Sequence, residues 1–164
     1  MTEAAADIEV EVEADAWLAA LPDAVTVTQA AARLALGAPA RDGVSARADL
    51  SLTVLLTDDA EVAGLNRQFR RKAGPTNVLS FPAHGTAIGH LGDLALAYET
   101  CALEAATQGK RLSDHLAHLV IHGVLHLSGW DHEADAEAEA MEDLERELLA
   151  RLGVADPYAS DTRA

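Results

Sequence analysis

The chain has 164 residues, a formal net charge of −15, 49% hydrophobic residues and a single cysteine, Cys101. That length suits one domain with a real core, and one cysteine excludes an internal disulfide and fits a reducing compartment such as the cytoplasm. No apolar run is long enough to cross a membrane, and the acidic N-terminus lacks the basic and apolar regions of a signal peptide.

Ile8, Val10 and Val12 alternate with Glu9, Glu11 and Glu13, which predicts a half-buried strand ending by Ala14. Pro22 and Asp23 break the chain, Val25 to Leu36 reads as a helix ending at Gly37, and Ala38 to Gly43 as a loop. Leu50 to Thr57 alternates again and predicts a second strand. Asp58 then caps a helix with Val62, Leu65 and Phe69 on its apolar stripe. Arg70 stands at its C-terminal end, where the macrodipole favours a cation. Lys72 to Pro75 is a turn. Val78 to Phe81, closed by Pro82, and Leu91 to Ala97 are strands separated by a segment rich in Gly and small residues, Ala83 to His90; if they pair, they form a hairpin. Tyr98 to Gln108 is helical and ends at Gly109. Ser113 caps a histidine-bearing helix that ends at Gly129. Ala134 to Leu152 is amphipathic, with Ala134, Ala138, Met141, Leu144 and Leu148 on its inner stripe and Gly153 as its stop. The expected fold is a single α/β domain over residues 1–158. It has a mixed sheet of about four strands packed with about five helices, the histidine helix central, and a disordered tail over 159–164.

Four of the seven histidines fall between His118 and His132. On a helix, His115, His118, His122 and His126 share one arc of roughly 80°. Their neighbours Leu116, Leu119, Val120, Ile121, Val124, Leu125 and Leu127 are apolar, so the helix is buried with one imidazole stripe. His122 and His126 are i and i+4 and can chelate one ion. Gly129 can turn the chain back through a positive φ, so that His132 supplies a third nitrogen. Three neutral imidazoles suit one Zn2+ per chain with a fourth position open, the layout of a catalytic site. A lone helix histidine is ordinarily a satisfied core residue; three at ligand spacing are not. Metzincin peptidases use the same spacing with a Glu base after the first His. Here that place is Gly123, which argues for a metal hydrolase other than an ordinary peptidase. His118 reads either as a group around the ligands or substrate, or as packing; His115 reads as packing. Asp131 either orients a ligand ring or caps the next helix.

The run His122-Gly-Val-Leu-His126-Leu-Ser-Gly-Trp-Asp-His132 resembles the defining motif of the bacterial YbeY family of metal-dependent endoribonucleases. Three further stretches match in the family's order. They are Leu65 to Arg70 followed by Pro75 to Pro82, Leu91 to Leu96, and Asp156-Pro157-Tyr158. The resemblance runs from about residue 50 to 158, with Asn77 in place of a common Asp and Trp130 in place of a common Tyr. It implies cleavage of single-stranded RNA, maturation of the small-subunit rRNA 3′ end, ribosome quality control, and partners on the small ribosomal subunit and among its assembly factors. It also singles out Arg70 as the cation that stabilises charge on the phosphoryl oxygens, beside catalytic His122. Arg67, Arg71 and Lys72 make a basic cluster with it, able to hold phosphates or to serve as surface charge. Thr76, Asn77 and Ser80 can line a substrate groove or make turn and strand-edge hydrogen bonds. Nine acidic residues between Asp131 and Glu147 read as a solvated face of the last helix. Two alternatives stay open: a metzincin-like hydrolase or peptidase with its base elsewhere, and a ribosome-assembly factor whose metal mainly holds the fold.

Overall fold

The computed structural model describes residues 7–38, 51–70, 76–82, 90–130 and 135–158; of residues 69 and 70 it describes only the backbone. The expected loop at 39–43, the turn at 72–75, most of the small-residue segment at 83–89 and the tail at 159–164 lie outside the described residues.

Four strands form one sheet: β1 (Asp7–Val12), β2 (Ser51–Thr57), β3 (Val78–Pro82) and β4 (His90–Ala97). Their order is β1-β2-β4-β3. The first two neighbour pairs are parallel, and β3 runs antiparallel to β4, so the sheet is mixed as expected. Alternation fixes the register. Ile8 pairs with Leu52 and Val10 with Val54, which puts these four side chains on one face and Glu9 and Glu11 on the other. β1 is shorter than its alternation suggests. Glu13 and Ala14 both donate to the Leu56 carbonyl, at 2.8 and 3.2 Å, and the chain leaves the ladder there.

The described helices are α1 (Asp15–Ala20), α2 (Ala24–Leu36), α3 (Asp59–Leu65), α4 (Tyr98–Gln108), α5 (Leu112–Leu127) and α6 (Asp135–Arg151). The π-helical turn Asn66–Arg70 extends α3. Asp58 caps α3 as expected, its carboxylate accepting from the Glu61 amide at 2.8 Å. Ser113 does not cap α5. The helix begins at Leu112, Arg111 holds the N-cap position without a side-chain cap bond, and Asp114 brings negative charge to the first turn. α1 has no counterpart in the sequence reading. Six residues are too few to display a helical period, yet Trp17 anchors them: it is fully buried and its indole donates to the Thr57 carbonyl at 2.9 Å.

Helix α5 crosses one face of the sheet between α2, α4 and α6. Leu116, Val120, Ile121, Val124 and Leu125 on it are wholly buried against Leu52, Val54, Leu56, Leu94 and Leu96. At about 1.5–3 kcal/mol for each large apolar side chain, these contacts anchor α5 firmly on the sheet. A smaller cluster of Val62, Leu79, Ala95 and Ala97 lies under α3 on the other face.

Two glycines set how closely α5 approaches the sheet. A Cβ on Gly123 would stand 2.6 Å from Leu94 Cδ2; one on Gly92 would stand 2.5 Å from the Phe81 carbonyl oxygen and 2.9 Å from Leu127 Cδ2. Leu94 can rotate its methyl aside, but the Phe81 carbonyl is part of the β3–β4 ladder. Gly92→Ala is therefore expected to destabilise by about 1–3 kcal/mol. Gly123→Ala should cost less, because alanine recovers about 1 kcal/mol of helix propensity. Urea unfolding of the two variants checks the order; a costlier Gly123→Ala would contradict it.

Candidate active site on the histidine helix

The apolar side of α5 is held by the sheet, so its imidazole stripe faces the other way. His115, His118, His122 and His126 form a row with ring-centroid spacings of 6.4, 6.3 and 4.9 Å. Side-chain exposure rises along it, from 4% at His115 to 13% at His118 and 24% at His122. The row is closed at its N-terminal end and opens toward His122 and His126.

Two carboxylates brace the row. At the closed end, His115 Nε2 lies 2.8 Å from Glu104 Oε1 of α4. Burial pulls the His115 pKa below its ordinary value, while the Glu104 carboxylate opposes that fall. In the middle stands Glu145 of α6, with no solvent exposure. Its Oε2 lies 2.6 Å from His122 Nδ1. Its Oε1 lies 3.1 Å from His118 Nε2 and accepts from the Tyr158 hydroxyl. Burial alone would raise its pKa, but the hydrogen bonds from His118 and His122 prevail and hold it at about 2. An ionised Glu145 makes Nδ1 of His122 the donor, which leaves the ring's lone pair on Nε2. That is the tautomer of a histidine that ligates through Nε2 with a carboxylate behind it.

The expected ligands fit this arrangement as far as they are described. His122 and His126 stand one turn apart, the former with its tautomer set. The chain then turns at Gly129, φ 98°, whose amide donates to the His126 carbonyl at 3.1 Å while the Trp130 amide donates to Leu125 at 3.0 Å. His132 and Asp131 lie outside the described residues, and among the described residues no three ligating side chains come together. The donor set suits zinc: two imidazoles at i and i+4, one with a buried anion behind it.

The other expected site residues divide. Arg70 closes the π-helical turn; Arg67 is exposed on the same turn; Arg71 and Lys72 lie outside the described residues. Thr76 is half-buried. The Asn77 amide is turned into the protein, with Nδ2 3.1 Å from Glu104 Oε1 and Oδ1 accepting from the Val78 amide at 2.7 Å. That is the strand-end hydrogen bonding weighed against substrate contact for this residue. His118 likewise turns Nε2 inward, and its Nδ1 is buried without a hydrogen-bond partner.

Glu104 and Glu145 were not anticipated, and Tyr158 stood out only within the Asp156-Pro157-Tyr158 stretch, with no role in the site. Glu145 sits in the acidic run, whose other described members are exposed or half-exposed as expected. Its position was still legible: Met141, Glu145 and Leu148 are spaced as one helix row, and all three are buried. Of the other residues expected on the inner stripe, Ala138 and Leu144 are only half-buried and Ala134 lies outside the described residues.

Fold and row together define an α/β protein with a carboxylate-braced histidine site on its central helix. The model of one family, described as Endoribonuclease YbeY, matches residues 23–153. A protein of Azorhizobium caulinodans named Endoribonuclease YbeY is 53% identical over 157 residues, covering 93% of this chain and 96% of that one. One of the same name from Paramagnetospirillum magneticum is 50% identical over 161 residues, covering 93% and 95%. The solution structure of TM1509 from Thermotoga maritima aligns over 93% of this chain and 97% of that one, with 23% identity and a TM-score of 0.49. The chain belongs to the YbeY endoribonuclease family.

The depressed pKa of His115 has a consequence for stability. Its imidazole resists protonation in the fold but not in the unfolded chain, where it titrates near 6.5. Between the two values the unfolded chain binds more protons, so stability falls as pH drops below about 6.5 and levels off below the folded pKa. His115→Gln, which keeps a donor for Glu104, is expected to lose part of that slope. Urea unfolding of parent and variant at pH 5, 6 and 7 measures it; identical slopes would show that His115 contributes nothing.

Proposed function

We propose that this protein is a zinc-dependent endoribonuclease that cuts single-stranded RNA. Its substrate is ribosomal RNA, at the 3′ end of the small-subunit molecule. It acts in rRNA processing and ribosome quality control in the cytoplasm, with the small ribosomal subunit and its assembly factors as partners. The observation that carries the metal reading is the buried, ionised Glu145 against His122 Nδ1.

His122, His126 and His132 would hold one zinc ion per chain. Held there, it would supply Lewis acidity toward a phosphoryl oxygen and a water whose pKa is lowered to about 7. Arg70 meets the extra negative charge that the phosphoryl oxygens gain in the transition state. Its place in a π-helical turn supports this, because such turns recur at functional sites. Arg67, Arg71 and Lys72 hold flanking phosphates, which lets a chain of net charge −15 bind RNA locally while its acidic body disfavours nonspecific binding. Thr76 lines the groove, and Asn77 shapes it through Glu104 and Val78.

The peptidase alternative needs a carboxylate base from elsewhere in the chain, because Gly123 stands where metzincins carry theirs. The assembly-factor alternative differs in its prediction, that ligand variants lose stability as much as activity.

Metal content and cleavage of a labelled single-stranded RNA, measured together on the parent, His122→Ala and Arg70→Ala, test the proposal. The parent should hold one zinc and cleave. His122→Ala should lose both zinc and cleavage. Arg70→Ala should keep zinc and fold while cleavage falls by about 100-fold or more. Cleavage retained in Arg70→Ala would remove Arg70 from the site. Zinc without cleavage in the parent would favour the assembly-factor reading.

A further inference from the structure

The Asp156-Pro157-Tyr158 segment folds back on α6 and is fastened at several points. The Asp156 carboxylate accepts from the Tyr158 amide at 2.8 Å and from Arg146 Nε at 3.1 Å. The Arg146 guanidinium also lies over the Tyr158 ring, 5.2 Å from its centroid, and reaches Asp143 at 2.6 Å. From α4's end, Lys110 Nζ reaches the Pro157 carbonyl at 3.4 Å. These contacts deliver the tyrosine to one place. Its ring meets His118 edge-on, with centroids 5.5 Å apart, and its hydroxyl donates to Glu145 Oε1.

We propose that Tyr158 is a positioning residue for the metal site: its hydroxyl fixes the Glu145 carboxylate, and through it the tautomer and orientation of His122. The inference rests on the zinc reading above. Glu145 has two oxygens and three neighbours. Oε2 serves His122; Oε1 is shared between Tyr158 and His118. Without the hydroxyl, Oε1 keeps only His118 at 3.1 Å, and the carboxylate can rotate so that Oε2 leaves Nδ1. Nδ1 and Nε2 then compete for the ring proton, and part of the population presents the wrong nitrogen to a metal. The C-terminal segment thus acts as a strap whose fastening sets the histidine's readiness.

Tyr158→Phe keeps the ring and removes the hydroxyl. Zinc affinity, read by competition with a chromophoric chelator, should fall about tenfold, within the range for groups that support a ligand from behind. Glu145→Ala should fall at least as far. Adding Tyr158→Phe to Glu145→Ala should then change affinity by less than twofold, because the hydroxyl has lost the acceptor it acts through. A tenfold further loss in the double variant would mean a general structural role and would overturn the proposal. A second readout needs neither metal nor Glu145→Ala. Imidazole 15N spectra of metal-free protein at pH 7.5 should show His122 protonated at Nδ1 in the parent and as mixed tautomers in Tyr158→Phe. Unchanged spectra with unchanged affinity would overturn the proposal while leaving the zinc reading intact. A parent with no zinc affinity would overturn both.

Discussion

Glu145 is ionised and wholly enclosed between α5, α6 and the C-terminal segment. Removing a charge from water in this way costs on the order of several kcal/mol unless its lone pairs are met. Here His122, His118 and Tyr158 meet them, and each comes from a different part of the architecture or a different turn of the helix. The packing of α6 on α5, the return of the chain after Gly153 and the facing of the histidine row all have to be right at once for this anion to be tolerated. The interaction therefore ties the site to the fold: the geometry at His122 is as firm as the packing of three elements.

That packing depends in turn on the two-sided character of α5. One side is an uninterrupted apolar contact with the sheet, drawn in close by Gly92 and Gly123. The other is a polar row whose ends differ. His115 is sealed in with Glu104, while His122 and His126 border the surface. Rigidity is supplied from the closed end and chemistry is available at the open one. A site built on a helix this well anchored needs little rearrangement to be ready for a ligand, which is the condition for strong electrostatic work on a charged substrate.

Much of this was legible in the sequence because it is periodic. The alternations at Ile8–Val12 and Leu52–Leu56 specified strands and their buried face, the apolar surround of the histidines marked α5 as central, and Gly109, Gly129 and Gly153 stopped their helices with positive φ. What stayed hidden is non-local or short. α1 is recognisable only through Trp17, whose partner Thr57 is forty residues away. Ser113 looked like a cap, but the α5 start is set by how the chain leaves α4, where the Lys110 amide returns to the Ala105 carbonyl. Glu145 was lost among charges of the same sign; only its row-mates Met141 and Leu148 distinguish it from them. The buried carboxylate and its partners lie on three segments, and no pattern within one segment announces them.

The contact between Gly123 and Leu94 also bears on how this helix can change over evolutionary time. The spacing of His122 and His126 is shared with peptidase zinc helices, and on paper a single codon change toward glutamate at 123 would complete their motif. In this architecture a side chain at that position starts 2.6 Å from Leu94 Cδ2, so a long one would have to displace a leucine that is wholly buried, and shortening the leucine to make room would open a cavity against the sheet. The close seating of α5 that makes the site rigid thus sets a stability cost on any long side chain beside His122.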